Sequence, residues 1–177
     1  MIITISGRAG SGKSTIGKLL AEKIGYKFYS MGELRRKMAS DMGLTIHELN
    51  ELGEKEDFTD KEVDNYQKEL GQKEDNFVLD GRLGFYFIPH SIKVFLDCGL
   101  TIRAKRIFES YREREHYHNI DDAVKAIKER ESSDIKRYKK YYGVNCYDKS
   151  HYNLVVDTTT GTIDQTLAKI IGFLEKK

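Results

Sequence analysis

At 177 residues the chain is long enough for one central sheet covered on both faces, and 39% hydrophobic with 33% charged residues suits a globular domain with a well-solvated surface. A net charge of +2 is too small to argue for a nucleic-acid or membrane partner, and no apolar run approaches the length of a membrane span. The two cysteines, Cys98 and Cys146, have no metal-ligand spacing and make no disulfide framework, so a small-molecule partner and a monomer are expected.

The first residues run straight into the β-branched stretch Ile2-Ile3-Thr4-Ile5, which predicts a buried strand, no signal peptide and a cytoplasmic, reduced setting. Gly7-Arg8-Ala9-Gly10-Ser11-Gly12-Lys13-Ser14 then satisfies G-x-x-x-x-G-K-[ST] at every specified position, and Thr15 follows. Between a strand and a helix, such a loop turns successive backbone N–H groups onto one anion, because glycines accept positive φ and carry no Cβ. The N-terminus of the next helix adds its own donors and a partial positive charge. Lys13 is placed to reach the β/γ-phosphates of a nucleotide, and the Ser14 hydroxyl to hold Mg²⁺.

The first helix carries Ile16, Leu19, Leu20 and Ile24 at helical spacing and ends at Gly25. Phe28 and Tyr29 form a short strand that delivers Ser30. Ser30-Met31-Gly32-Glu33-Leu34-Arg35-Arg36 opens a helix to about Met42, with Leu34 and Met38 paired and Arg36 on another face. Thr45–Glu48 and Thr59–Glu62 each match a capping box and predict two more helices. Between the two boxes, Asn50 to Phe58 is acidic and weakly periodic, as expected of a mobile helical insert. The second helix, about Asp60 to Gly71, shows Val63, Tyr66 and Leu70 as its apolar stripe, leaving Asp64, Gln67 and Lys68 to other faces.

Phe77-Val78-Leu79-Asp80 reads as a buried strand ending in a carboxylate, the arrangement that places an acid beside Mg²⁺. Asp97, at the end of Ile92-Lys93-Val94-Phe95-Leu96, competes for that role and ranks second. Arg82 leaves the carboxyl end of its strand, where open α/β sheets bind ligands. From Thr101 the chain is helical and basic, with Arg103, Lys105, Arg106, Arg112 and Arg114, until His116-Tyr117-His118 breaks the pattern. Asn119 restarts a long helix to about Tyr142, in which Arg130, Asp134 and Arg137 share one face at i, i+4 and i+7. That stripe is either a row of exposed ion pairs or a ligand-facing wall. Asn153 to Asp157 is the last strand, and the Thr162–Gln165 capping box opens a closing helix. Strands near residues 2, 27, 77, 92 and 153 alternate with helices, which predicts an α/β fold: a doubly wound, five-stranded parallel sheet in three layers.

A GTP-driven switch would need N-K-x-D and D-x-x-G, and neither occurs. An assembly ATPase usually brings further domains, and a binding-only module does not explain arginines at four separate places, Arg36, Arg82, Arg130 and Arg137, with Arg106 and Arg112 as lid candidates. A kinase does, since phosphoryl transfer asks chiefly for positioning and positive charge around the transferred group. Residues 31–74 then read as an acceptor-binding flap and 106–120 as a lid, both within a single kinase domain spanning 1–177.

In order, the P-loop, Ser30-x-Gly32-Glu33-x-x-Arg36, Asp80-Gly81-Arg82 and Glu129-Arg130-x-x-x-Asp134-x-x-Arg137-Tyr138 resemble the cytidylate kinase family, in its short, archaeal-type form, along nearly the whole chain. The resemblance implies ATP as donor, CMP or dCMP as acceptor, Mg²⁺ as cofactor and the strand order of nucleoside monophosphate kinases. It implies Lys13, Asp80, Arg82 and Arg130 as the catalytic set, with Ser30, Gly32 and Arg36 on the acceptor. Arg36, Arg82 and Arg130 would grip the acceptor phosphate, Asp134 would face the sugar and Arg137 the pyrimidine, while Thr158 and Thr159 would sit at the adenine. Leu83 stands where bacterial members carry an acid, and only Lys68 or Gln67 could replace an arginine of their acceptor helix. UMP, AMP, shikimate and dephospho-coenzyme A stay open as acceptors.

Overall fold

Five short runs pair side by side in one parallel sheet, in the order β2-β3-β1-β4-β5. They are β1 (Ile2–Gly7), β2 (Lys27–Ser30), β3 (Phe77–Asp80), β4 (Ile92–Asp97) and β5 (Leu154–Asp157). The computed structural model describes residues 1–110 and 117–177, so Arg112, Arg114, His116 and the middle of the expected lid lie outside the described residues. Register puts Ser30 and Ile5 on either side of Asp80, and Gly7 beside Leu96. The ends of three strands therefore converge at the P-loop before any side chain is considered.

Strand alternation separates the two covered faces. Ile3, Ile5, Val78, Val94 and Leu96 pack against α1 (Lys13–Ile24) and α8 (Ile163–Leu174) through Ile16, Leu20, Leu167 and Ile170. On the opposite face, Ile2, Phe77 and Leu79 meet α2 (Met31–Asp41), α3 (Ile46–Lys55) and α4 (Phe58–Lys73) through Met38, Leu49, Val63 and Leu70. The short α5 (Gly84–Phe87) and Phe95 form a further cluster with Tyr138 of α7 (Ile120–Tyr142). Ala9 of the P-loop packs with Ala104 and Ile107 of α6 (Leu100–Glu109) and with Ala123 and Ile127 of α7. This is the expected three-layer α/β architecture.

Local signals hold at most boundaries. Gly25 ends α1 in the left-handed region at φ 70°. Reciprocal capping boxes form at Thr45–Glu48 and Thr162–Gln165, and Asn119 caps α7 by accepting from the Asp122 N–H. The expected box at Thr59 is absent: α4 begins at Phe58, and Thr59 is fully buried. The face of α4 also differs from expectation. Tyr66 is 40% exposed, whereas Asp60, Asp64 and Gln67 are buried beside Val63. Residues 50–55, expected in a weakly periodic insert, continue α3. No helix among the described residues is long and apolar enough to cross a membrane.

Candidate active site

The P-loop is shaped by close approaches that exclude side chains. A Cβ on Gly7, at φ 147°, would stand 2.2 Å from the Leu96 carbonyl oxygen, and one on Gly10, at φ 80°, 2.7 Å from that of Arg103. Helix α1 starts without a side-chain cap, which leaves its first N–H groups to the loop. Lys13 Nζ donates to the Arg8 carbonyl at 2.8 Å. Arg8 and Arg103 both bond Glu131 of α7, at 2.8 and 2.6 Å, and Arg103 also donates to the Ala9 carbonyl.

Ser14 Oγ donates to Asp80 Oδ2 at 2.5 Å, and Ser30 Oγ lies 3.4 Å from the same oxygen. A carboxylate and a hydroxyl meeting in this way form the hard oxygen donor set that suits Mg²⁺. Asp97 is differently placed. Lys149 Nζ is 2.6 Å from it, Arg8 Nε 3.5 Å, and the Cys98 N–H donates to it. Burial raises its carboxyl, but Lys149, the Cys98 N–H and Arg8 hold it below the usual carboxylate range. Asp97 thus faces two cations, whereas Asp80 faces two hydroxyls.

On the α8 side of the loop lies a cleft of about 460 Å³ lined by Gly10, Ser11, Gly12, Thr15, Arg106 and Thr158, with Ile163 and its neighbours. Arg106 donates to the Thr158 carbonyl at 2.7 Å and to its hydroxyl at 3.2 Å, and the hydroxyl donates to the Ser11 carbonyl. Thr159 is not on that wall. Its hydroxyl accepts from the Gly99 N–H at 2.9 Å and braces the start of α6.

On the other side of the loop a tighter cavity, about 100 Å³, gathers Lys13, Ser14, Gly32, Arg36, Asp80, Arg82, Arg130 and Asp134 from four elements and the turn after β3. Arg82 donates through Nε to Asp134 at 2.9 Å and through Nη1 to the Gly7 carbonyl at 2.5 Å. Burial would raise the Asp134 carboxyl, but Arg82, Arg137 and Arg130 hold it far below the usual range. The Arg130–Asp134–Arg137 stripe is thus no row of exposed ion pairs.

With this geometry in view, residues 2–160 match the model of the cytidylate kinase-like family. The chain belongs to that family. A cytidylate kinase of Methanocella arvoryzae is 42% identical over 159 residues, covering 90% of this chain and 88% of the relative. One of Methanobrevibacter smithii is 37% identical over 171 residues, covering 97% and 96%. Among solved structures, an uncharacterized protein from Eubacterium ventriosum superposes with a TM-score of 0.72 at 21% identity, over 100% of this chain and 99% of the other. A shikimate kinase from Bacteroides thetaiotaomicron gives 0.69 at 17%, over 99% and 98%, and these likenesses show the fold alone.

In this cytidylate kinase-like chain Arg137, like Thr159, is placed differently from expectation. Arg137 does not line the cavity; it is 1% exposed and lies behind the wall. Its guanidinium is used by Asp134 at 2.7 Å, by Asp60, and by Ser133 at 3.3 Å. Two carboxylates on different helices share this one buried cation, each taking a different nitrogen of the guanidinium.

Residues that sequence reasoning did not place at the site help to complete the wall: Arg35, Asn50, Asp60 and Asp64. Arg35 bonds Asn50 at 3.1 Å, the Thr59 carbonyl at 2.9 Å and Asp60 at 3.0 Å, while its neighbour Arg36 also lines the cavity. One signal was available. Asp60, Asp64 and Gln67 stand at i, i+4 and i+7 of α4, the same spacing as the stripe on α7. Of the two stand-ins for a missing arginine, Gln67 reaches the cavity, whereas Lys68 sits 4.8 Å over the Phe87 ring.

Proposed function

We propose that this chain transfers the terminal phosphoryl group of ATP to the phosphate of CMP and dCMP, in line, with Mg²⁺ as cofactor. One observation carries the reading: a single cavity joins the P-loop lysine and the Ser14–Asp80 pair to Arg36, Arg82 and Arg130. Names of relatives at 37–42% identity over nine-tenths or more of the chain support cytidylate as the acceptor.

The acceptor phosphate is already anionic, so no general base is required. A phosphate oxygen of CMP forms the new bond to the γ-phosphorus as the bond to the β–γ bridging oxygen breaks, giving ADP and CDP. The protein's part is positioning and charge. The P-loop amides and Lys13 hold the donor phosphates, and Arg106 and Thr158 border the cleft for the adenine. Arg36, Arg82 and Arg130 hold the acceptor phosphate against its own repulsion from ATP. Asp134 fixes Arg82 and faces the sugar. Mg²⁺ at Ser14 and Asp80 supplies, when bound, neutralisation of the negative charge on the transferred phosphates. Residues 31–74 serve as the acceptor-binding flap, since α2 and α4 bring Gly32, Arg36 and Gln67 to the same wall.

ATP consumption measured against CMP, dCMP, UMP, AMP, shikimate and dephospho-coenzyme A tests this reading. CMP and dCMP should give the highest kcat/KM. Equal turnover of AMP and CMP overturns the cytidylate assignment.

A further inference from the structure

The two ends of the Gln67 side-chain amide are in different situations. Nε2 is committed: it donates to Asp64 Oδ1 at 3.2 Å and reaches the Val63 carbonyl at 3.5 Å. Oε1 is buried and accepts from no described residue. It lies beside Gly81, another residue of the cavity wall, where an added Cβ would stand 3.1 Å from it. Asp64 is held in turn, because the Tyr142 hydroxyl donates to its second oxygen. With Asp64 ionised, turning the amide over would set Oε1 against a carboxylate oxygen, acceptor against acceptor, so Asp64 in that form fixes which end of Gln67 meets the cavity.

Two turns earlier on the same helix, Asp60 keeps a second buried acceptor, Oδ2, while its Oδ1 takes Arg35 and Arg137. From the facing α2, Arg35 Nη2 is a buried donor without a described partner. A buried polar atom without a partner costs stability, and the two acceptors, on residues that both line the cavity, call for a ligand group that donates. Cytosine offers one, with a donating exocyclic amino group next to the accepting ring N3 and O2. Uracil reverses the first two, presenting an accepting O4 and a donating N3–H.

We propose that Gln67, oriented by Asp64 and Tyr142, accepts from the exocyclic amino group of the acceptor base, so that α4 and not Arg137 selects cytosine. This rests on the reading of the chain as a CMP kinase. Asp64 and Tyr142 act as positioning residues through Gln67.

The test compares CMP, UMP and the monophosphate of 2-pyrimidinone riboside, which lacks the amino group altogether. The unaltered protein should favour CMP over that analogue by about ten- to a hundredfold in kcat/KM. Gln67→Met, close in volume, should lose most of that factor for CMP and almost none for the analogue. Asp64→Asn frees the amide to turn and should raise UMP relative to CMP. Should Gln67→Met not fold, the analogue comparison on the unaltered protein decides by itself. An analogue used as well as CMP, or an unchanged CMP-to-UMP ratio in folded Gln67→Met, overturns the inference while leaving CMP phosphorylation standing. An unaltered protein that phosphorylates none of the three removes the CMP kinase reading, and the inference with it.

Discussion

The two halves of the cleft hold their charges by different means. In the donor half the anion-binding surface is backbone, a glycine-shaped loop between β1 and α1 whose form is set by neighbours a few residues away and by the Leu96 and Arg103 carbonyls. In the acceptor half the surface is side chain, a buried mesh in which Asp134 takes Arg82, Arg137 and Tyr147, and Asp60 takes Arg35 and Arg137. A backbone cradle tolerates change in what surrounds it. A mesh of buried ions does not, because removing one member leaves the others charged and unpaired. The halves should therefore fail differently, the first in rate and the second in stability.

The largest effect should come from Arg137→Met. It removes the cation that Asp60 and Asp134 share among the described residues, and breaking a buried pair in this way costs about 3–5 kcal/mol. For a domain of this size that lowers Tm by roughly 6–20 °C. The exposed pair Lys73–Glu69 on α4 gives the contrast, since water screens it and its loss should leave Tm almost unchanged. Thermal melts of both variants check the claim. A Tm for Arg137→Met within a degree or two of the unaltered protein would erase the distinction between the halves.

Lys13→Ala should do the opposite. Loss of one donor aimed at developing charge costs roughly 2.7–4 kcal/mol of transition-state stabilisation, about 10²–10³ in kcat. Tm should hardly move, because Lys13 is only partly buried and its amine bonds a loop carbonyl. Near-normal turnover in the purified variant would remove the P-loop from the chemistry.

This contrast also decides what the sequence made legible. The P-loop was readable because a local backbone shape demands particular residues at fixed spacing. The strands and most helix ends were readable for the same reason. The α4 face was not. Hydropathy assigns acids to solvent, and it had no means of knowing that Asp60 finds its partner 77 residues away at Arg137, or Asp64 its partner 78 residues away at Tyr142. Arg35 and Arg36 are adjacent and alike in sequence, and burial of Arg35 against Asp60 separates them. The family resemblance implies Arg137 at the pyrimidine and the helical stripe is compatible with it, but a stripe gives a direction and not the partners met along it.

At the seam between the halves, Asp80→Asn should raise the Mg²⁺ concentration for half-maximal rate by about 10–100-fold, the usual consequence of weakening a group that holds or orients a metal's ligands. Asp97→Asn should raise it less, because Lys149 and Arg8 already occupy that carboxylate. A metal titration giving the reverse order would move the metal to Asp97 and detach it from Ser14.

The smallest effect is a pH dependence confined to the acceptor half. Burial and the neighbouring Asp60 push the Asp64 carboxyl up to about 7, against the Tyr142 hydrogen bond, Arg35 and Lys68, which pull it down. The ordinary value is 3.8, so the folded protein holds this proton more tightly than the unfolded chain does. The resulting stabilisation is complete below the unfolded value and is lost as pH rises through about 7. Between about pH 6 and pH 8 the unfolded chain carries no proton here while the folded protein releases most of one. The stability of the fold should therefore fall by about 1.4 kcal/mol over that interval. In a domain of this size that corresponds to roughly 3–6 °C in Tm. Asp64→Asn has nothing to titrate at this position, so its Tm difference between the two pH values should be smaller than that of the unaltered protein by that amount. Lys13→Ala, on the backbone side, should keep the full difference. Equal slopes for Asp64→Asn and the unaltered protein would mean that Asp64 is already ionised at pH 6. The buried acids of α4 would then be held by cations alone, and the acceptor wall would be charged throughout the range in which the enzyme works.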